Sequence, residues 1–151
     1  MRAVLLDTAP LVLFIVGNLD PGRIGGRRLE AFNADVLDYL NEAVARFPRH
    51  VSVPNVLTEA SNHIGAGNQQ LAKGAAEALG YYIDSFVDEI YRPSDEVVAG
   101  GYYRSVGLSD AAILDCLRHD MTVITADHEL YARVHEKGGS AINLFHRMTP
   151  R

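Results

Sequence analysis

Short apolar runs alternate with longer amphipathic stretches along the chain, and this alternation limits the possible folds more than any other feature of the sequence. Four runs have the length and apolar content of buried strands: residues 2–6, 50–53, 121–125 and 140–144. Helical patterns separate them, and no Asn-Gly hairpin signal occurs. Because parallel strands need such long crossover connections, the sequence predicts an α/β fold with a central parallel sheet covered by helices on both faces.

Apolar positions three and four residues apart mark the helices. The clearest stripe lies between about residues 33 and 47 and consists of Val36, Leu37, Leu40, Val44 and Phe47. The other predicted helices cover residues 9–17, 54–64, 68–86, 95–104, 110–119 and 127–137, with Asp95 and Ser109 as caps for two of them. Residues 18–28 are rich in Gly and Pro and predict a loop.

Length and composition indicate one domain spanning residues 1–151, since 48% of the residues are hydrophobic and 22% are charged. The single cysteine, Cys116, excludes an intramolecular disulfide and a multi-cysteine zinc site. Asp7 and Pro10 interrupt the apolar N-terminal stretch, and no other stretch approaches the roughly 18 apolar residues of a membrane span. We therefore expect a cytoplasmic protein that is neither exported nor embedded in a membrane.

Two carboxylates, Asp7 and Asp127, directly follow predicted strands from opposite ends of the sequence. Ligands of open parallel sheets bind beyond the carboxyl ends of the strands, so both acids are expected at one edge. Glu59 lies about one turn into the helix after the second strand, and Asp110 lies in the first turn of a later helix. Four converging carboxylates would repel one another without a counter-charge, and Mg²⁺ or Mn²⁺ suits oxygen ligands of this kind.

Each of these acids alone also has a purely structural explanation. Asp110 could complement a helix dipole, Asp127 could be an N-cap, and Asp7 could be a turn residue. The metal-site interpretation depends on the set of four rather than on any one of them.

Four segments of the chain, LLDTAP, NVLTEASN, GLSDAAIL and VITADHEL, resemble in order and spacing the motifs of the PIN-domain nucleases. The resemblance covers nearly the whole chain and implies a three-layer α/β/α fold with a four-acid Mg²⁺ or Mn²⁺ site that cleaves single-stranded RNA. Matched motif by motif, it assigns Asp7, Asp110 and Asp127 to the metal. It leaves Glu59 as either a further ligand or the residue that holds a water.

The resemblance also suggests supporting residues and partners. It identifies Thr8, Ser109 and Thr125 as hydroxyls that support the acids. It implies hydrolysis of an RNA phosphodiester to 5′-phosphate and 3′-hydroxyl ends. It further implies either the toxin of a toxin–antitoxin pair, whose antitoxin tail occupies the acidic groove, or a free-standing PIN ribonuclease. A homodimer is expected, with the small-residue face of the 68–88 helix as the candidate surface.

The loop at 21–28 holds three arginines, Arg23, Arg27 and Arg28, which either grip substrate phosphates or are simply solvated. The net charge of −5 argues against a general nucleic-acid coat protein, but setting the four candidate site carboxylates aside leaves −1, which permits a local basic patch. Two other functions stay open. One is a non-catalytic PIN-fold scaffold that binds proteins; the other is a phosphatase using Asp7, although Ala9 stands where that chemistry wants a second Asp.

Overall fold

The centre of the molecule is a parallel sheet, which confirms the α/β fold predicted from the alternating pattern. The computed structural model describes residues 2–148, and its strands are β1 Ala3–Leu6, β2 Arg49–Ser52, β3 Val87–Glu89, β4 Met121–Thr125 and β5 Ser140–Asn143. The strand order is β3-β2-β1-β4-β5, and each neighbouring pair is parallel. Every residue of β1 and β4 is buried, so both faces of the sheet are covered, as in a three-layer α/β/α architecture.

Helices connect the strands and cover the sheet. They are α1 Thr8–Val12, α2 Ala34–Ala45, α3 Pro54–His63, α4 Gln69–Ala72, α5 Ala75–Phe86, α6 Ser94–Ala99, α7 Tyr103–Val106, α8 Leu108–Cys116 and α9 His128–Glu136. A π-helical turn, Leu13–Gly17, continues α1, and 3-10 turns lie at Pro21–Arg23 and Leu144–Arg147. The stripe predicted for α2 is buried in the apolar core, which confirms the periodicity that predicted this helix.

The strand order reverses direction between β1 and β4. Strands β2 and β3 lie on one side of β1, and the later strands β4 and β5 lie on its other side. Such a switch point leaves a crevice at the carboxyl ends of the two neighbouring strands, which is where ligands bind in open α/β sheets. Asp7 follows β1 and Asp127 lies two residues beyond β4, so both acids lie at this crevice.

Two of the predicted helices are divided in the structure. The helix predicted over residues 68–86 is α4 followed by α5, because Lys73 and Gly74 both adopt left-handed backbone conformations, with φ of 37° and 88°. The helix predicted over 95–104 is divided at Gly100 and Gly101, of which Gly101 has a φ of 91°. Left-handed residues end a helix, and glycine adopts this conformation without a steric penalty.

The structure also moves the predicted caps and adds a strand. The helix α8 begins at Leu108, so Ser109 lies inside its first turn instead of capping it. Asp95 likewise lies in the first turn of α6, not before it. Strand β3 was not predicted, because its residues Val-Asp-Glu are partly or fully exposed at the edge of the sheet and form no apolar run. Within residues 2–148, no helix has both the length and the apolar character needed to cross a bilayer.

Candidate active site

Asp7 and Asp127 are joined by the hydroxyl of Thr125, the last residue of β4. The Thr125 Oγ1 donates to Asp7 Oδ2 at 2.8 Å and accepts from the backbone N–H of Asp127 at 2.9 Å. Each acid also caps the helix that follows it: Asp7 Oδ1 accepts from Thr8 N at 2.8 Å, and Asp127 Oδ1 accepts from Leu130 N at 3.0 Å. Asp7 and Asp127 therefore cap helices and also converge on one place. Capping uses only one oxygen of each carboxylate.

Glu59 is brought to the same place by α3, which begins at Pro54 immediately after β2 and Val53. Both oxygens of its carboxylate accept from hydroxyls: Thr8 Oγ1 donates to Oε2 at 3.2 Å, and Ser109 Oγ donates to Oε1. The three supporting hydroxyls predicted from the sequence therefore all contact an acid, Thr125 on Asp7 and the other two on Glu59. These contacts fix Glu59 between α1 and α8.

Asp110 lies in the first turn of α8, which runs back across the sheet and therefore begins at the crevice. No side chain within residues 2–148 donates a hydrogen bond to its carboxylate. Burial, together with the nearby charges of Asp7, Asp127 and Glu59, raises the pKa of Asp110 to about 7. Burial is the largest cause of this shift in pKa, and the charges of the three other acids add to it.

Asp7 is the most buried of the four, with 8% of its surface exposed. Burial raises the pKa of this carboxyl, against the opposing effect of the hydrogen bonds from Thr125 and Thr8. The charges of Asp127 and Glu59 raise it further. Asp7 is thus a buried carboxylate with two hydrogen-bond donors and two like-charged neighbours, and a cation would stabilise its charged form.

All four acids line one open cleft of about 550 Å³ at the switch point. Thr8 and Ser109 line the same cleft. Within the described part of the chain, none of the four carboxylates forms an ion pair with an Arg, Lys or His side chain; the ion pairs present there involve other acids. The cleft therefore holds four carboxylates that no ion pair within these residues neutralises.

The donor set fits a hard divalent cation, although it is not a closed cage. Carboxylate oxygens are the ligands that Mg²⁺ and Mn²⁺ prefer. Across residues 2–148, no three His, Cys, Asp or Glu side chains are arranged so that they would hold one ion together directly. Mg²⁺ keeps several of its waters and binds proteins through one or two carboxylates, so it does not require such a group. The oxygens available to a cation are those of Asp110 and the Oδ2 atoms of Asp7 and Asp127, which do not cap a helix.

Only one of the three arginines predicted to bind substrate reaches the cleft. Arg28 lines it, with a left-handed backbone at φ 67°. Arg23 is turned elsewhere, since its Nη2 donates to the backbone oxygen of Leu71 at 3.2 Å, and Arg27 is exposed but does not line the cleft. Neither Arg23 nor Arg27 lines the cleft, and their contact with substrate phosphates stays a prediction.

Several residues that line the cleft have no role predicted from the sequence, among them Glu30, His63, Phe32 and Phe145. His63 follows Glu59 by four residues on α3 and so shares its helix face, a spacing that could have revealed it. Phe32 and Phe145 stack on each other at the cleft wall, with ring centroids 5.9 Å apart and planes inclined by 16°. No local signal links these two phenylalanines, because they come from segments more than a hundred residues apart.

Comparison with protein-family models and with curated proteins returns no match. The relation to PIN-domain nucleases consequently depends on the four motifs themselves. Each of those motifs contributes one acid to the same cleft.

Proposed function

We propose that the protein is a metal-dependent endoribonuclease that hydrolyses RNA phosphodiester bonds with Mg²⁺ or Mn²⁺. The observation that carries this proposal is the convergence of four carboxylates, from four separate segments of the chain, on one cleft without an ion-pairing partner in residues 2–148. Burial and the charges of the neighbouring acids disfavour the charged forms of Asp7 and Asp110, so the cluster does not serve stability. A bound cation removes that cost.

The residues of the cleft divide into those that hold the cation and those that orient them. Asp7, Asp110 and Asp127 hold it, directly or through water. Thr125 orients Asp7 through its 2.8 Å hydrogen bond, and Thr8 and Ser109 fix Glu59. Because both oxygens of Glu59 already accept hydroxyls, Glu59 is better placed to position a water than to be a principal ligand.

The reaction proposed for the site is hydrolysis. When bound, a divalent cation lowers the pKa of water and stabilises the negative charge that develops on the phosphodiester. The oxygen of water forms the new bond to phosphorus, and the bond from phosphorus to the 3′ oxygen breaks, which leaves 5′-phosphate and 3′-hydroxyl ends. Arg28, at the cleft wall, is the arginine placed to contact a substrate phosphate.

Substrate and partners follow the same proposal. RNA is the substrate, a homodimer is the oligomeric form, and the toxin of a toxin–antitoxin pair in the cytoplasm is the biological setting. The helix α5, where Phe86 is 54% exposed, is the surface that we propose for the homodimer. An antitoxin segment would compete with RNA for the acidic cleft.

The test is cleavage of a mixed pool of single-stranded RNA by the wild type and by Asp110→Asn, with Mg²⁺, with Mn²⁺ and with EDTA. Asp38→Asn is the matched control, because Asp38 is an exposed aspartate on α2 that does not line the cleft. We expect cutting by the wild type and by Asp38→Asn that requires the metal and that Asp110→Asn loses. Equal cutting by all three proteins would overturn the proposal.

The same preparations separate the two alternatives. Cation binding by the wild type without cleavage of any RNA would favour a protein-binding scaffold. Hydrolysis of small phosphate esters without RNA cleavage would favour a phosphatase. Either result would overturn the ribonuclease proposal.

A further inference from the structure

A second cavity, of about 300 Å³, adjoins the acid cleft and takes no part in the roles described above. Glu59 and Ser109 line both cavities, so the two meet at these residues. The rest of the second cavity comes from α3, through Asn55 and Thr58, and from the segment that follows β3. We name it the β3-side cavity. Together the two cavities extend on either side of the Glu59 carboxylate.

The segment after β3 brings an exposed aromatic ring into the β3-side cavity. Tyr91 lines the cavity and is 73% exposed, the largest exposed fraction among the exposed large hydrophobic residues of the described chain. An exposed ring in a polar cavity offers a face for an unpaired nucleobase, since every base can stack on an aromatic side chain. Tyr91 has this position because it lies just beyond the carboxyl end of a parallel strand, at the same edge of the sheet as the acids.

Arg92, the next residue, lines the same cavity, and its guanidinium is held in place by Asp115. Its Nε pairs with Asp115 Oδ2 at 3.0 Å, and its Nη2 donates to the backbone oxygen of Asp115 at 3.2 Å. The side chain is nevertheless 42% exposed, and Nη1 makes no hydrogen bond within the described residues. A guanidinium fixed on one edge and free on the other suits a phosphate oxygen.

We propose that the β3-side cavity binds the nucleotide next to the phosphodiester held at the acid cleft, with the base stacked on Tyr91 and a backbone phosphate at Arg92. The inference rests on the proposed function in that it takes RNA as the ligand. It accounts for a single-stranded substrate, because a paired base cannot stack on Tyr91. It adds that the strand continues from the acid cleft into the β3-side cavity past Glu59 and Ser109, which line both.

The polar residues of the cavity agree with a nucleotide. Asn55, Thr58 and Ser94 supply amide and hydroxyl groups that can bond base edges or the 2′-hydroxyl. An acidic peptide would bring further negative charge against Glu59, whereas a nucleotide can place its phosphate at Arg92 and its uncharged base at Tyr91. We therefore assign the cavity to RNA and leave peptide binding as a result of the test.

The test measures the affinity for a fluorescein-labelled single-stranded RNA of about ten nucleotides, a length within the range that single-strand sites cover. Fluorescence anisotropy is recorded in EDTA, and every protein carries Asp110→Asn, so that no strand is cut. In that background, Tyr91→Ala, Tyr91→Phe and Arg92→Ala are compared with Tyr81→Ala and Arg46→Ala. The two control residues are exposed and line neither cavity.

We expect Tyr91→Ala to weaken binding about tenfold, from the loss of one stacked base, and Tyr91→Phe to retain the wild-type affinity. Arg92→Ala should weaken binding and lower the slope of log affinity against log salt by about one. Both control variants should bind like the parent. A duplex of the same sequence should bind more weakly than the single strand.

The outcomes separate this inference from the ribonuclease proposal. If the wild type cuts RNA with Mn²⁺ but Tyr91→Ala and Arg92→Ala bind like the controls, the β3-side assignment is overturned and the ribonuclease proposal stands. If the two variants lose affinity while no RNA is cut by the wild type, the assignment stands and the ribonuclease proposal fails. Preference for the duplex, or binding of an acidic peptide but not RNA, overturns the assignment.

Discussion

At the scale of single residues, Thr125 has the largest influence on the geometry of the acids. Its side chain is fully buried, and its hydroxyl connects the end of β1 to the start of α9 through Asp7 and the Asp127 backbone. The sequence indicates this role only through resemblance, since a Thr two residues before an Asp is common in any strand. The hydrogen bond itself depends on β1 and β4 being neighbours, which no local pattern specifies.

We expect Thr125→Val to weaken Mn²⁺ binding by about tenfold or more, the usual effect of losing a residue that orients a ligand. The substitution keeps the shape of the side chain but leaves Asp7 Oδ2 and the Asp127 N–H without their partner, which should also cost about 1–3 kcal/mol of stability. Titration calorimetry and urea unfolding measure the two effects.

Thr122→Val is the control on the same strand. Thr122 donates to Ser140 Oγ at 3.2 Å, away from the cleft. It should lower stability slightly and leave the Mn²⁺ affinity unchanged. If both variants bind Mn²⁺ like the wild type, Thr125 does not orient the site.

Asp110 makes the stability of the metal-free protein depend on pH. An aspartate in an unfolded chain titrates near pH 3.9, about three units below the value of about 7 in the native protein. The native state therefore binds this proton more tightly, and the contribution of Asp110 to stability is lost as the pH rises between these two values. Asp110→Asn removes the dependence.

In EDTA, the melting temperature of Asp110→Asn should match that of the wild type near pH 4 and exceed it at pH 8. Saturating Mn²⁺ at pH 8 should reverse this order, because only the wild type gains a bound cation. Differential scanning calorimetry across the pH range measures both comparisons. Equal melting temperatures at pH 8 in EDTA would mean that Asp110 is not under electrostatic strain.

At the scale of elements, the break between α4 and α5 offers a matched pair of glycines. Gly74 has a φ of 88°, whereas Gly80 lies inside α5 with open space where a Cβ would stand. Gly74→Ala should cost about 1–2 kcal/mol, because an L side chain is strained in the left-handed region. Gly80→Ala should stabilise the protein by about 0.5–1 kcal/mol through helix propensity. Chemical unfolding of the two variants measures both changes.

If Gly74→Ala stabilises the protein, the helix is not interrupted between α4 and α5. That result would favour the continuous helix that the periodicity predicts. Leu71, Ala75, Leu79, Tyr82 and Phe86 keep helical spacing across the break, and of these the structure buries Ala75, Leu79 and Tyr82. Lys73, at φ 37°, is a residue type that gives no sign of a left-handed conformation. The sequence therefore predicts the helical content here but not the interruption.

The elements that carry the site show the same division between predictable and unpredictable features. Asp7 and Asp127 are predictable, because strand ends of a parallel sheet share an edge. Tyr91 and Arg92 are not, because they follow β3, an exposed edge strand whose Asp88 and Glu89 break any apolar run. A strand that is missed in the sequence hides the residues that its carboxyl end brings to the cleft.

At the scale of the whole molecule, a bound cation should stabilise the fold. Mn²⁺ at a hundred times its dissociation constant adds about 2.7 kcal/mol, which for a chain of this size raises the melting temperature by about 5–10 °C. EDTA should reverse the shift, and Asp110→Asn should show little of it. A melting temperature that does not respond to Mn²⁺ would argue against the site.

The net charge of −5 is accounted for largely by the cleft, since the four acids without a bound cation contribute −4 of it. With a divalent cation bound, the local charge falls by two and the approach of an RNA phosphate becomes less unfavourable. Under the proposed function, such a coupling between cation and substrate would make an acidic protein compatible with an RNA substrate.

The measurement that tests the central claim most directly is calorimetric titration of Mn²⁺ into the wild type, Asp110→Asn and Asp38→Asn at pH 8 and at pH 6. The account predicts saturable binding to the wild type and to Asp38→Asn, weaker at pH 6 because a proton competes at Asp110, and loss of binding in Asp110→Asn. Binding of equal strength in all three proteins, or none in the wild type at pH 8, would contradict the claim that these four carboxylates form a cation site.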